Sequence, residues 1–119
     1  MRVLIIDSDE NYLNSMKKEL EDICEEIIIE RNFFTALKIT KYKLVDVIIC
    51  DCYRSIMENI KCIDHQQKKT NVIIHSNLLD FTCKKIAIQH GIYSYYCKPS
   101  YDMIINDILL IKNGIHFKK

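Results

Sequence analysis

The sequence predicts a doubly wound α/β domain in which five parallel β-strands alternate with five helices. Short apolar runs rich in β-branched residues alternate along the chain with amphipathic segments of helical periodicity, a pattern typical of βαβ units. The apolar runs show no polar alternation, as expected for strands that helices cover on both faces. The 119 residues fit one domain, and because they include only two glycines and one proline, the connecting loops must be short.

The apolar runs define five predicted strands and the edge of the sheet at which function is expected. They span residues 3–6, 26–30, 45–50, 72–75 and 93–97. In an open parallel sheet the functional crevice lies at the carboxyl ends of the strands. The residues that follow each run are therefore the candidate functional residues.

The first three helices are predicted from apolar periodicity. The first carries one apolar stripe at spacings of three and four residues, formed by Leu13, Met16, Leu20 and Ile23. The second is predicted over residues 33–41. The third, around residues 56–63, is short and poorly bounded, and a polar stretch follows it.

Glycine, proline and serine mark the ends of the last two helices. The fourth is predicted over about residues 79–90 and stops at Gly91, which suits a left-handed C-cap. The fifth begins after Pro99, with Ser100 as its N-cap, and ends before Asn113 and Gly114.

Charge and hydropathy exclude two classes of partner for this domain. The 17 basic and 16 acidic residues give a net charge of +1 without long runs of one sign, so the basic surface of a nucleic-acid binder is missing. The apolar runs stop well short of the roughly 20 residues that a membrane span needs, and the first residues become acidic too soon for a signal peptide. We therefore expect a cytoplasmic domain that contacts neither nucleic acid nor membrane directly.

The six cysteines do not predict a disulfide framework or a metal site. No Cys-x-x-Cys pair occurs, and the rest of the chain has enough apolar residues to form a core unaided. We expect reduced, unpaired and mostly buried thiols.

Polar residues follow four of the five predicted strands. Asp7, Ser8 and Asp9 follow the first, Asp51 the third, His75, Ser76 and Asn77 end the fourth, and Lys98 and Pro99 follow the fifth. Two acids, a hydroxyl and an ammonium group are thus expected at one edge of the sheet. His75 is interpreted as a strand-end residue rather than a ligand.

The four segments around these residues resemble the signature blocks of response-regulator receiver domains. The blocks are Ile5-Ile6-Asp7, Val47-Ile48-Ile49-Cys50-Asp51, Val72-Ile73-Ile74-His75-Ser76 and Tyr95-Tyr96-Cys97-Lys98-Pro99. The resemblance spans the whole chain and implies a flavodoxin-like (βα)5 fold with strand order 2-1-3-4-5. It also implies a two-component phosphorelay, in which a sensor histidine kinase or a phosphotransfer protein donates a phosphoryl group.

The resemblance assigns the chemical roles at the site. Asp51 becomes the phosphoacceptor, and the Lys98 ammonium contacts a phosphoryl oxygen. Asp7, Asp51 and the backbone carbonyl of Tyr53 become the ligands of Mg²⁺. The domain would then be a signalling phosphoacceptor and not an enzyme, with weak self-phosphorylation and dephosphorylation at most.

Two further residues match the conformational switch of the family. Ser76 matches the Ser/Thr position whose hydroxyl bonds the phosphoryl group, and Tyr95 matches the aromatic residue whose ring then turns inward. The face formed by the fourth predicted helix, the fifth strand and the fifth helix would respond. A homodimer through that face would use Phe81, Lys85, Tyr96, Asp102 and Ile105.

The sequence departs from the family pattern in three places. Ser8 stands where the family has a second acidic residue, which leaves either Ser8 or Asp9 as a further metal ligand and predicts weak Mg²⁺ binding. The segment after Asp51 lacks the usual Pro and Gly and is several residues short. Asn77 is larger than the small residue that usually follows the switch hydroxyl.

These departures leave a second function open, a phosphorylation-independent pseudo-receiver that serves as a protein-interaction module. A flavodoxin-like redox or nucleotide protein fits less well, because no glycine-rich phosphate loop follows the first strand. Residues 108–117 resemble the end of receivers that precede a helix-turn-helix domain. The 119 residues are therefore interpreted as one receiver domain that either stands alone or forms the N-terminal part of a longer transcription regulator.

Overall fold

The computed structural model describes residues 1–51, 70–77 and 81–115, without the side chains of residues 82 and 83. Five parallel strands form one sheet in the order β2-β1-β3-β4-β5. Their bounds are β1 Arg2–Ile6, β2 Glu26–Glu30, β3 Val47–Cys50, β4 Asn71–Ser76 and β5 Ser94–Cys97. The predicted sheet and its strand order are confirmed.

Four helices are described: α1 Glu10–Leu20, α2 Phe33–Tyr42, α3 Phe81–Gln89 and α4 Tyr101–Lys112. The helix predicted around residues 56–63 lies outside the described residues. The helices α3 and α4 therefore correspond to the fourth and fifth predicted helices.

Side chains that alternate along the strands build two apolar layers, one on each face of the sheet. Leu4 and Ile6 of β1 face the layer that α2 and α3 cover, whereas Val3 and Ile5 face the layer that α1 and α4 cover. Full burial of an aliphatic side chain stabilises the fold by roughly 1.5–3 kcal/mol. The inner strands bury side chains on both faces and therefore contribute to both layers. This arrangement is why their sequences are apolar without alternation.

The strand ladder extends β4 beyond its predicted end. Ser76 pairs with Cys97 and therefore belongs to β4, whereas the prediction ended this strand at residue 75. Pairing with β5 satisfies the backbone there, and the polarity of the side chain does not decide where the strand ends.

The glycines and the serine predicted to flank the last two helices lie at their observed ends, but Ser100 does not cap α4 with its side chain as predicted. Gly91 and Gly114 follow α3 and α4 with φ values of 84° and 85°, the left-handed conformation that glycine adopts without strain. Ser100 occupies the N-cap position of α4, but its side chain makes no capping bond because its hydroxyl donates to the carbonyl of Cys97.

No helix in the described part of the chain is long and apolar enough to cross a membrane. Three of the six thiols are described, and those of Cys24, Cys50 and Cys97 are not in disulfides, as predicted. The other three lie outside what the structure describes.

Candidate functional site

The carboxyl edge of the sheet brings three of the predicted site residues together. The register of β1 and β3 pairs Ile6 with Cys50, so that Asp7 and Asp51 leave neighbouring strands side by side. The backbone N–H of Asp51 donates to the Ile6 carbonyl at 3.3 Å. Lys98 follows β5 and reaches over β4 to the same place.

The Lys98 ammonium contacts both carboxylates. Its Nζ lies 2.7 Å from Oδ2 of Asp7 and 3.6 Å from Oδ2 of Asp51. The Asp7 side chain is 1% exposed and that of Asp51 is 21% exposed. The ammonium therefore stabilises a buried carboxylate and stands beside a second one that solvent can reach.

Ser76 lies at the carboxyl end of β4, between the strands that carry Asp51 and Lys98, and it is buried. Its carbonyl accepts a hydrogen bond of 2.8 Å from the backbone N–H of Lys98. The backbone thus joins the predicted switch residue to the predicted phosphoryl contact.

Asp9 forms the N-cap of α1. Its Oδ1 accepts hydrogen bonds from the backbone N–H groups of Asn11 at 2.9 Å and Tyr12 at 3.3 Å, and its own N–H donates to Oδ1 of Asp7. Ser8, the other predicted substitute ligand, is exposed, and its carbonyl accepts from the Arg31 guanidinium. The helix start explains the acid at position 9 without a metal.

The donor set of the site fits Mg²⁺ held by few protein ligands. Asp7 and Asp51 supply two carboxylates near each other, and Mg²⁺ commonly uses one or two carboxylates while keeping several waters. No group of three His, Cys, Asp or Glu side chains converges anywhere in residues 1–51, 70–77 and 81–115. The carbonyl of Tyr53, predicted as a ligand, lies outside the described residues.

An aromatic cluster that the sequence prediction missed lies beneath Lys98. The Tyr12 hydroxyl is 2.6 Å from Nδ1 of His75, and the Lys98 Nζ is 4.2 Å from the centre of the Tyr12 ring. Tyr101 packs against both rings, with centroids 6.2 Å from Tyr12 and 5.8 Å from His75. The signal available in the sequence was weak: a histidine in an apolar strand, and a tyrosine on the inner side of the first helix.

Burial keeps Tyr12 and His75 neutral. It lowers the pKa of His75 to about 4; the Lys98 ammonium adds to that effect, while Asp51 and the backbone of Cys97 oppose it. Burial also raises the pKa of the Tyr12 hydroxyl, and the negative charge of Asp7 contributes. At neutral pH neither of these two side chains carries a charge.

Tyr95, the predicted switch aromatic, is 7% exposed and belongs to the apolar layer beneath α2 and α3. Its neighbours in β5 are tied to α4 by a buried carboxylate: Oδ2 of Asp107 accepts from the hydroxyls of Ser94 at 2.6 Å and Tyr96 at 2.7 Å. Residues on both sides of Tyr95 are therefore fixed to the last helix.

The fold matches solved receiver domains, although no family model and no curated protein matches the sequence. The signal receiver domain of an HD domain-containing protein from Pseudomonas fluorescens Pf-5 is 22% identical, with a TM-score of 0.85 over 97% of this chain and 96% of that one. A response regulator from Burkholderia pseudomallei with a phosphorylated aspartic acid and a calcium ion is 16% identical, with a TM-score of 0.79 over 95% of this chain and 71% of that one. An atypical orphan response regulator with a phosphorylation-independent regulatory mechanism is 16% identical, with a TM-score of 0.81 over 98% of this chain and 97% of that one.

These likenesses confirm that the chain has the flavodoxin-like fold of response-regulator receiver domains, as the four sequence blocks predicted. At this level of identity they establish the fold alone, and the chemistry depends on the residues of this chain.

Proposed function

We propose that the domain is a phosphoacceptor of a two-component phosphorelay and that Asp51 takes the phosphoryl group. The main support for this proposal is the position of the Lys98 ammonium, which contacts a buried carboxylate and a solvent-accessible one at the carboxyl edge of the sheet. A histidine kinase or phosphotransfer protein needs access to the acceptor, and Asp51 is the more exposed of the two acids. A cation beside the acceptor is what phosphoryl transfer requires.

The transfer needs little covalent chemistry from the protein. An oxygen of Asp51 attacks the phosphorus of a phosphohistidine, the P–N bond breaks with its electron pair going to the imidazole, and an acyl phosphate forms. Lys98 lies where it can meet the charge on the transferred group. Mg²⁺ bound by Asp7 and Asp51 would supply further positive charge at the same oxygens.

The conformational response to phosphorylation is proposed to extend from Ser76 and Tyr95 to the surface made by α3, β5 and α4. On that surface Phe81 is 72% exposed, and Lys85 and Asp102 are exposed, whereas Tyr96 and Ile105 are half-buried. A homodimer of receivers is proposed to form through the exposed members of this set.

Small-molecule phosphodonors are expected to label the wild-type protein with one phosphoryl group and to leave Asp51→Asn unlabelled. The amide has no anionic oxygen to attack phosphorus. Intact-mass measurement after incubation with acetyl phosphate and Mg²⁺ checks this. Asp46→Asn is the matched control, because it alters an exposed acid just before β3, at the opposite edge of the sheet. Equal labelling of wild type and Asp51→Asn would refute Asp51 as the acceptor.

Ser8→Asp is expected to bind Mg²⁺ about tenfold more tightly than the wild type and to be labelled faster. The new carboxylate adds a negative charge beside Asp7, and a tenfold change corresponds to about 1.4 kcal/mol, a moderate value for a partly exposed charge pair. A Mg²⁺ titration measures the affinity.

Asp9→Asn distinguishes the two predicted substitute ligands in the same titration. Asparagine caps a helix as well as aspartate does, so the substitution removes the charge and retains the start of α1. We expect little change in Mg²⁺ affinity, because Oδ1 of Asp9 is engaged in the cap. A large loss would instead identify Asp9 as a metal ligand.

The second candidate function is a phosphorylation-independent interaction module. Ser8 in place of an acidic residue favours it, and so does the likeness to an orphan regulator of that kind. If Ser8→Asp bound Mg²⁺ more tightly and both proteins still resisted labelling, this second function would be supported and phosphotransfer rejected.

A further inference from the structure

We propose that Tyr12 is a positioning residue for the Lys98 ammonium and that His75 fixes the Tyr12 ring in the required orientation. The effect on phosphorylation rests on the function proposed above, whereas the contact itself does not. The structural basis is one chain of contacts, from His75 in β4 through Tyr12 in α1 to Lys98 after β5.

The Tyr12 ring is a third support for the ammonium, besides the two carboxylates. The Lys98 Nζ lies over the ring face at 4.2 Å from its centre, a distance at which the ring quadrupole attracts a cation. The ring is 7% exposed and the Lys98 side chain 12% exposed. Little water therefore weakens the attraction.

The ring itself is held from two further sides. Its hydroxyl contacts His75 Nδ1 at 2.6 Å, and Tyr101 stacks on it with an angle of 27° between the ring planes. Tyr101 also meets His75 edge to face, at an angle of 79°. With both neighbours in place, the Tyr12 ring has little freedom to rotate away from Lys98.

The hydrogen bond joins two neutral groups. The buried Tyr12 hydroxyl keeps its proton, and the buried imidazole carries one proton on one of its two nitrogens. The hydroxyl donates to Nδ1 in one imidazole tautomer and accepts from Nδ1 in the other, so the contact holds the ring in either case.

A buried imidazole in an otherwise apolar strand calls for a reason, because burying a polar group costs free energy. A leucine or valine would pack into β4 at position 75 without that cost. What histidine adds at this place is a fixed hydrogen-bond partner for the Tyr12 hydroxyl, and through it a fixed ring beneath the ammonium. The geometry fits a role in positioning better than a role in packing alone.

The consequence for the site concerns how Lys98 moves. When Asp51 becomes an acyl phosphate, the ammonium has to follow the added phosphoryl oxygens. A neutral ring limits the space open to Nζ, and it does so without forming an ion pair that would have to break. Lys98 is then kept near the acceptor before and after transfer.

The contact is tested by NMR on the intact protein. Methylene protons of Lys98 next to Nζ should be shifted upfield by the Tyr12 ring current, with assignment confirmed in Lys98→Arg. The upfield shift should be lost in Tyr12→Leu and retained, though reduced, in Tyr12→Phe, which keeps the ring and loses the bond to His75. Unshifted Lys98 protons in the wild type would overturn the proposal.

The role in positioning is tested by labelling rates with acetyl phosphate and Mg²⁺. We expect Tyr12→Leu to be labelled about tenfold more slowly than the wild type and Tyr12→Phe about twofold more slowly, consistent with the loss or retention of a cation–π contact. Tyr42→Leu, which alters an 87% exposed tyrosine in α2, is the matched control and should match the wild type. Rates in Tyr12→Leu equal to those of the wild type would overturn the role in positioning.

The two readouts separate this inference from the proposed function. If even the wild type is not labelled, phosphotransfer is rejected, and the ring-current shifts still decide whether Tyr12 positions Lys98. Circular dichroism of Tyr12→Leu shows whether the variant folds. If it does not, the comparison of Tyr12→Phe with the wild type decides the proposal through the reduced shift.

Discussion

Replacing Asp107 by alanine is expected to lower the free energy of unfolding by about 3 kcal/mol. The Asp107 side chain is fully buried in α4, and its Oδ2 accepts hydrogen bonds from Ser94 and Tyr96 of β5. Alanine removes the hydrogen-bond acceptor of both hydroxyls and leaves a cavity. Hydrogen bonds to a charged group contribute roughly 1.5–3 kcal/mol each, and the loss of two exceeds the effect of an ordinary surface substitution.

Urea unfolding followed by circular dichroism measures this effect. Asp102→Ala is the matched control, since Asp102 is an exposed acid in the first turn of the same helix, and we expect a change of less than about 1 kcal/mol there. Asp107→Asn should fall between the two, because its amide oxygen still accepts hydrogen bonds. A cost for Asp107→Ala as small as that for Asp102→Ala would show that the buried cluster contributes little.

The fold was predictable because its determinants are local in the sequence. The three central isoleucines of β2 and the apolar runs of the inner strands define strands without any knowledge of tertiary structure, and Glu26–Glu30 was predicted with its observed bounds. Errors occurred where pairing between strands decides the boundary. Ser76 joined β4 because Cys97 pairs with it, and no property of Ser76 alone indicates that.

The site was predictable only in part. Asp7, Asp51 and Lys98 could be placed together because parallel strands end at one edge, so position in the chain fixes position in space. Tyr12 and His75 lie 63 positions apart, on a helix and a strand, and their contact depends on side-chain directions that only the packed structure defines. The best available hint was a titratable residue inside an otherwise apolar strand.

The sequence also indicates that Asp107 is buried and needs hydrogen-bond donors. It lies among Ile104, Ile108 and Ile111 on the buried side of α4, and an acid on an apolar stripe requires hydrogen-bond donors nearby. The polar residues of β5 are those donors. The sequence contains both halves of this cluster, but the register of α4 against β5 was needed to join them.

The stability of the wild type is expected to fall by up to about 3 kcal/mol between pH 6.5 and pH 4 through His75 alone. The pKa of His75 is about 4 in the folded protein and 6.5 in the unfolded chain. As the pH falls, the unfolded state takes up the proton first and is stabilised. The stability that depends on a neutral His75 is therefore fully present above pH 6.5 and is lost progressively as the pH falls towards 4. Below pH 4 His75 causes no further change.

Other groups titrate over the same range, so the measurement is a difference between variants. His75→Gln has no titrating ring, and its amide oxygen can accept from Tyr12. The groups that face His75 are Tyr12 from α1, Tyr101 from α4, the Lys98 ammonium, the Asp51 carboxylate and the backbone of Cys97, and all of them remain in the variant.

Urea unfolding at several pH values should show the wild type losing stability on acidification faster than His75→Gln. The matched control, His90→Gln at the end of α3, should follow the wild type. Parallel curves for wild type and His75→Gln would mean that His75 gains its proton as easily in the folded state as in the unfolded state. In that case burial would not keep the imidazole neutral beside the Tyr12 hydroxyl, and the orientation of the ring beneath Lys98 would need another cause.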